Sequence, residues 1–588
     1  MKLLIGPCSH DRFAAPAGTL HNLVYFGSRE IQYEIGMGWG ELFGRLPAGW
    51  KPDCILWIWP EYMMWPAWEQ CPVPLATVVG DWHYNFSALS GCLHGCDYIF
   101  ADRLGTRRLQ EHGIDHVEWW PAYGHSPDQC QRRNEAPLFD VTFIGRLNFH
   151  SHRTRSRYLA KLALFKEHYR VRIARDIHGP DYFEALARSR IVVNDGVRGE
   201  MNMRAYEATA CGALLFMHAD NLEISEFLRD GKDCVYFEED NLLSLLTHYL
   251  KNESLRRRVA DSGWHCIQQH TSEQHMADLI GRLEQLDFQS LRRDLSGFWS
   301  QPDAELAHLA SRGFMMGSVM PVNATKRLAS YANQESRNDW NALNTAAVMI
   351  TRHAFQQHQD GNSAQSNTLC QQAASFWQSL HERWPERILS WANYGLALLT
   401  LGRSDDAASF LLHALELMEG NGDLPSPDNS TIFFDPDNTY LGGAGIAPPT
   451  GGTFHVEWER IASGSGADPE TAKNELRQLV FWECARKLGG IYLANGNTSQ
   501  AIGWLQKAVN CRPDLEQAHD LLGNALVETG DPMAATKSFE RSLEIQPWNF
   551  KTRQKLADTL GELNLWHKQD EVCREGIQMA NAFEGLHP

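Results

Sequence analysis

Ten residues of this chain have types and spacings suited to holding an anion or moving a proton. Asn194 ends an apolar, β-branched run (Ile191–Val193), and a Gly-bearing loop separates it from Asn202, Arg204 and Glu207. Asn202 is placed to cap a helix over Met203–Ala210, whose first turn would offer backbone N–H groups and a positive dipole end to an anion. Arg204 and Glu207 are three apart and share a helix face. A cation beside an anion-binding helix end, with a carboxylate one turn on, suits a nucleotide's phosphates and ribose. A second strand ends at Gly145–Arg146, and Arg146 with one of Arg153 or Arg155 is placed to reach a pyrophosphate, because a planar guanidinium can bind two phosphate oxygens at once. Asp81 and His83 follow a third strand, and either is a candidate general base. Against that, Asp81 can simply cap the next helix and His83 can simply pack.

The elements that must position these groups follow from the hydrophobic pattern. Lys2–Ile5, Cys54–Trp59, Leu75–Val79 and Tyr98–Ala101 read as buried strands, with helical patterns at 28–46 and Arg103–His112 between them. A polar stretch, His125–Pro137, separates this first α/β domain (1–136) from a second (137–286). The second has strands at Asp140–Ile144, Ile191–Val193, Ala213–Met217 and Cys234–Phe237, and a helical crossover at Asp181–Arg190. Ligands of such parallel sheets sit where strands end.

After Arg146 comes a basic run: Arg153, Arg155, Arg157, Lys161, Lys166, Arg170, Arg172 and Arg175, against the single acid Glu167. Most of it reads as a solvated face. Tryptophan and tyrosine are dense in the first domain (Trp39, Trp50, Trp57, Trp59, Tyr62, Trp65, Trp68, Trp82, Trp119 and Trp120). Core packing is the plain account, and an acceptor platform around Trp57–Trp68 the sharper one.

A different regime begins after a linker over 287–337. Leu522–Gly523 follows Leu488–Gly489 by 34 residues, and Ala535 follows Ala501, and Pro547 follows Pro513, by the same step. An earlier unit has Trp391, Gly395, Leu398, Ala407 and Ala414; a degenerate one has Ala373, Trp377 and Pro385; Phe550–Ala582 closes the series. This periodicity resembles tetratricopeptide repeats, pairs of antiparallel helices with small residues where they cross. A Gly/Pro/Ser/Asn-rich insertion interrupts the array at about 420–468.

Bulk properties exclude several classes. A formal net charge of −18 argues against bulk nucleic-acid or membrane-surface binding, leaving the local basic run as the weaker alternative. Thirteen irregularly spaced cysteines fit reduced thiols, not a disulfide framework. Cys92, His94 and Cys96 lack a second pair at zinc-type spacing, and Asp435–Pro436–Asp437 lies in the distant insertion, so no metal site is expected. The start, MKLLIGPCSH, is too short to be a lipoprotein signal, and no apolar run approaches a membrane span. A soluble cytoplasmic location is the expectation.

Together DVTFIGR (Asp140–Arg146), IVVN (Ile191–Asn194) and NMRAYEATACG (Asn202–Gly212) resemble the CgeB-like group of GT-B glycosyltransferases. The resemblance implies two Rossmann-like domains followed by an α-helical repeat solenoid, α/β plus all-α. It implies transfer of a sugar from a nucleotide-sugar donor, held by the second domain, to an acceptor on the first, without metal or other cofactor. Gly145, Arg146, Arg153, Arg155, Asn194, Asn202, Arg204 and Glu207 would then bind donor, with Glu207 on the ribose hydroxyls. Glu200 lies one step off the register of the second glutamate found in such enzymes and is not assigned that role. The repeats would recruit a protein acceptor or partner. The competing reading is a non-catalytic scaffold acting through those repeats.

Overall fold

The computed structural model describes residues 1–8, 22–27, 31–33, 37–61, 71–84, 86–147, 152–197, 199–291, 330, 340–424, 460–461 and 468–584. Two parallel six-stranded sheets and a helical array are built from them. The first sheet has the order β2-β1-β3-β4-β5-β6, from β1 (Lys2–Gly6), β2 (Asn22–Tyr25), β3 (Cys54–Ile58), β4 (Leu75–Val78), β5 (Tyr98–Ala101) and β6 (Val117–Trp119). β3 and β4 are buried throughout, as central parallel strands covered on both faces must be. Helices α1 (Trp39–Gly44), α2 (Phe86–Leu93) and α3 (Arg103–Glu111) belong to this domain.

Of the helix expected over 28–46, the described residues form only α1, six residues long. Gly38 is extended (φ −86°, ψ 165°) and acts as its N-cap, so the helix cannot begin earlier. The dense tryptophans serve the core where they are described. Trp57 packs edge-on against Phe26, Tyr33 and Trp39, and Trp82 and Trp120 are also buried. The other half of the supposed platform, Tyr62, Trp65 and Trp68, lies outside the described residues.

The second sheet has the order β11-β10-β9-β7-β8-β12. Its strands are β7 (Phe139–Ile144), β8 (Val171–Ala174), β9 (Ser189–Asn194), β10 (Leu214–His218), β11 (Val235–Phe237) and β12 (Phe583–Glu584). Its helices are α4 (Arg153–Phe165), α5 (Gly179–Ala187), α6 (Met203–Ala210), α7 (Leu242–Lys251) and α8 (Glu253–Ile267). β8 escapes the sequence reading because Arg172 stands in its middle inside the basic run. The next helix, α9 (Ser272–Gln285), returns to the first domain, burying Met276, Leu279, Ile280 and Leu283 against Leu3, Ile5 and Leu56. At that return Gly124 is pressed on Thr271–Ser272 so closely that a Cβ would stand 2.5 Å from backbone atoms. Only glycine fits there.

A short helix, α10 (Phe288–Leu291), precedes the array, which forms five described helix pairs. They are α11/α12 (Trp340–Gln359, Ser363–Arg383), α13/α14 (Ile388–Thr400, Ser404–Glu419), α15/α16 (Pro469–Ala494, Thr498–Cys511), α17/α18 (Glu516–Glu528, Pro532–Ile545) and α19/α20 (Phe550–Glu562, Trp566–Ala582). The recurring glycine has a steric cause. A Cβ on Gly395 would meet Leu411 at 2.8 Å and one on Gly489 would meet Leu505 at 2.6 Å, each on the partner helix of its pair. Most of the insertion (425–459 and 462–467) and of the linker lies outside the described residues.

The array is not a detached appendage. β12, directly after its last helix, pairs in parallel with β8 (Phe583 with Ile173, Glu584 with Ala174). Trp548, Met579, Ala582 and Phe583 share one core with Tyr158, Leu162, Val171 and Phe216. Lys166 Nζ donates to the Asn581 carbonyl at 2.7 Å.

Candidate functional site

Gly145, Arg155, Asn194, Asn202 and Arg204, five of the groups singled out by sequence, meet at the C-terminal ends of β7 and β9. α6 begins as its sequence dictates: Asn202 is extended and its Oδ1 accepts the Ala205 N–H at 3.3 Å. The same oxygen accepts from Asn194 Nδ2 at 2.8 Å, and Asn202 Nδ2 donates to the Asp195 carbonyl at 2.6 Å. Arg204 Nη1 donates to Asn194 Oδ1 at 2.8 Å, and its guanidinium lies over the Phe143 ring. Its Cζ would stand 2.9 Å from a Cβ on Gly145, so the glycine makes room for the arginine. Asn194, Asn202, Arg204 and Gly145 thus form one polar knot between two strand ends and a helix start.

Arg155, in the first turn of α4, reaches into the same knot. Its Nε donates to Asp195 Oδ1 at 2.8 Å, its Nη2 lies 2.8 Å from the same oxygen, and its Nη1 donates to the Arg146 carbonyl at 3.0 Å. The pair is buried, and burial strengthens each charge-assisted bond. Arg153, two positions earlier, points elsewhere: its Nη1 lies 3.9 Å from Asp514 of the repeat array.

Glu207 Oε2 accepts the Tyr182 hydroxyl at 2.6 Å. Burial, followed by the charge of Glu207, raises the Tyr182 pKa well above its ordinary value. The neighbouring glutamate, Glu200, is buried in the loop before α6 and reaches the Val197 N–H at 3.4 Å.

His152, the residue before α4, joins the two domains electrostatically. Its pKa lies well below the usual imidazole value, first because it is buried, then because Arg155, His83, Arg146 and Arg204 surround it. His83 of the first domain therefore lies within electrostatic reach of His152. Asp81 stands two residues before it, with its N–H given to Glu61 Oε1 at 2.7 Å.

Several groups here carry no sequence signal. His152 follows residues without a recognisable pattern, Tyr182 is one aromatic in an ordinary helix, and Glu61 sits beside the tryptophans. Glu223 is a fourth. It accepts the N–H of Arg103 (3.0 Å) and the Trp119 indole N–H (2.8 Å) from the first domain, and the Met201 N–H (2.9 Å) from its own. Only tertiary structure brings such partners together.

The basic run, by contrast, disperses. Arg157 and Lys161 pair with Glu239, Arg170 with Asp140 and Arg175 with Asp176. No group of three or more metal-ligating side chains occurs among the described residues. No helix among them is long and apolar enough to cross a membrane.

Residues 131–281 match the family model described as glycosyl transferase-like, and residues 388–419 match a tetratricopeptide repeat model. A search of curated proteins found no match. Among solved structures, sucrose-phosphate synthase from Thermosynechococcus elongatus is 10% identical, with 49% of this chain and 99% of that chain covered and a TM-score of 0.34. TarM is 8% identical, with 39% and 54% covered and a TM-score of 0.31. MamA protein is 12% identical, with 40% and 92% covered and a TM-score of 0.26. Such identities and scores carry no residue across.

Proposed function

The chain carries a glycosyl transferase-like domain and a tetratricopeptide repeat, and we propose that it transfers a sugar from a nucleoside-diphosphate donor to an acceptor hydroxyl. The observation that carries this reading is the convergence of Arg155 and Arg204 on the Arg146 carbonyl, Asn194 and the capped start of α6, at the ends of β7 and β9. Arginines beside a helix N-terminus suit a diphosphate, whose negative charge grows as the glycosidic C–O bond breaks and the electron pair moves to phosphate oxygen. Arg146 and Arg204 face that oxygen, Arg155 holds their loops together, and Asn202 sets the helix end. Glu207, steadied by Tyr182, takes the ribose hydroxyls. These cations supply the charge that a divalent ion supplies elsewhere, so the reaction runs without metal or other cofactor. Asp81 or His83 takes the acceptor proton if configuration inverts.

The repeats recruit the acceptor or a protein partner, and the work takes place in the cytoplasm. The test is thermal shift of the full chain against UDP-, GDP-, dTDP- and CMP-sugars. A donor should raise the melting temperature, Glu207→Ala should abolish that rise, and slow donor hydrolysis should persist in EDTA. No response to any donor would overturn the reading. Mass spectrometry of cellular proteins with and without the chain then tests whether the acceptor is protein.

A further inference from the structure

The first-domain wall of the cleft depends on a buried carboxyl that the donor chemistry does not use. Glu61 lies just past β3 and is only 3% exposed. Its Oε1 accepts two backbone N–H groups, from Gly80 and from Asp81, both at 2.7 Å. Its Oε2 is buried with no hydrogen-bond partner. The fit is close: a Cβ on Gly80 would stand 2.9 Å from Oε1 and 2.9 Å from the Trp59 indole. Trp59 itself takes a positive φ of 52°, a costly conformation for a bulky residue, so the turn that presents Glu61 is held under strain.

What the carboxyl holds is the loop that faces the second domain twice. At one end Val79 and Gly80, with Asp102, Ala122 and Tyr123, line a cavity closed from the other side by Glu200 and Glu223. At the other end His83 lies within electrostatic reach of His152 of the second domain. Resting on the function proposed above, we propose that Glu61 is a positioning residue, whose carboxyl group fixes the Gly80–His83 loop against the donor cluster.

Burial pushes the Glu61 pKa up to about 8, and the facing charge of Asp81, on the loop it holds, adds to the rise. Below that value the carboxyl is neutral and a weaker acceptor; above it the carboxylate grips both N–H groups. The loop therefore tightens as pH rises through about 8. In Glu61→Gln the amide oxygen still accepts both N–H groups but cannot titrate. In Glu61→Ala neither bond forms.

Two measurements on the full chain test this. Hydrogen exchange, corrected for intrinsic rates, should show Gly80 and Asp81 protected, with protection rising from pH 7 to pH 9. Glu61→Ala should exchange roughly tenfold faster at these amides, while Glu61→Gln stays protected and loses the pH dependence. With a responding sugar nucleotide, Glu61→Ala should cut the kcat of donor hydrolysis roughly tenfold with KM little changed, and Glu61→Gln should restore it. Equal exchange in wild type and Glu61→Ala would overturn the proposal. So would Glu61→Gln as impaired as Glu61→Ala, or a loss confined to KM. If no sugar nucleotide responds, the functional reading fails alone, and the exchange data still decide whether Glu61 holds the loop.

Discussion

Replacing Asp195 by alanine would leave the Arg155 guanidinium buried without its carboxylate partner. In the native protein Arg155 Nε meets both Asp195 oxygens, at 2.8 and 3.1 Å, and the arginine side chain is only 5% exposed. Removing one partner of such a pair costs about 3–5 kcal/mol, mostly because the other charge stays buried. For a cooperative unit of this domain's size each kcal/mol moves the melting temperature by about 2–4 °C, so differential scanning fluorimetry should show a fall of about 6–20 °C. Asp195→Asn should fall less, since its amide oxygen can still accept one N–H. The paired variant Arg155→Met with Asp195→Leu should recover most of the loss, because well-packed apolar groups can replace a buried ion pair at little cost. A melting temperature for Asp195→Ala within about 2 °C of wild type would refute the argument that this pair is desolvated and structurally necessary. So would a double variant as unstable as the sum of the single ones.

Gly145→Ala should force Arg204 away from Asn194 and destabilise the second domain by about 1–3 kcal/mol, the usual cost of overpacking, as read by chemical denaturation. Phe583→Ala removes a buried ring that lies 5.0 Å from that of Trp548, and should lower the stability of the second domain by about 3 kcal/mol. Hydrogen exchange would locate that loss at β8. Acid should weaken the array through His381, whose burial lowers its pKa to about 4 and whose ring stacks on Trp391 at 3.7 Å. The unfolded chain binds a proton there below about pH 6.5 while the folded one does not, so stability is full above that value and falls toward pH 4. His381→Phe should keep the stack and flatten that part of the melting-temperature profile.

What could be read in advance was whatever depends on neighbours in sequence. The start of α6 followed from a capping asparagine ahead of a helical run, and the helix pairs followed from a glycine returning every 34 residues. Strands β3, β4, β7 and β9 announced themselves as apolar runs. Where a side chain points depends on one more turn of geometry than spacing supplies. Arg153 and Arg155 looked interchangeable, yet two positions along a helix are about 200° apart, so one turns to Asp195 and the other to Asp514. Glu61 and Glu223 act on backbone N–H groups that every residue owns, and no sequence pattern marks such a partner. β12 was illegible because two residues carry no periodicity and its neighbour strand lies more than 400 positions away.

That last strand changes what it means to make this protein. Chains emerge from the ribosome in order, and a domain can begin to fold once its residues are out. Here residues 137–286 leave with one sheet edge unfilled, and the strand and aromatic ring that complete it arrive nearly 300 residues later. Until then β8 is a bare edge, the kind of surface on which other chains aggregate. The second domain is therefore half built early and among the last to be finished, and a message cut short anywhere in the repeats yields a second domain that lacks its final strand.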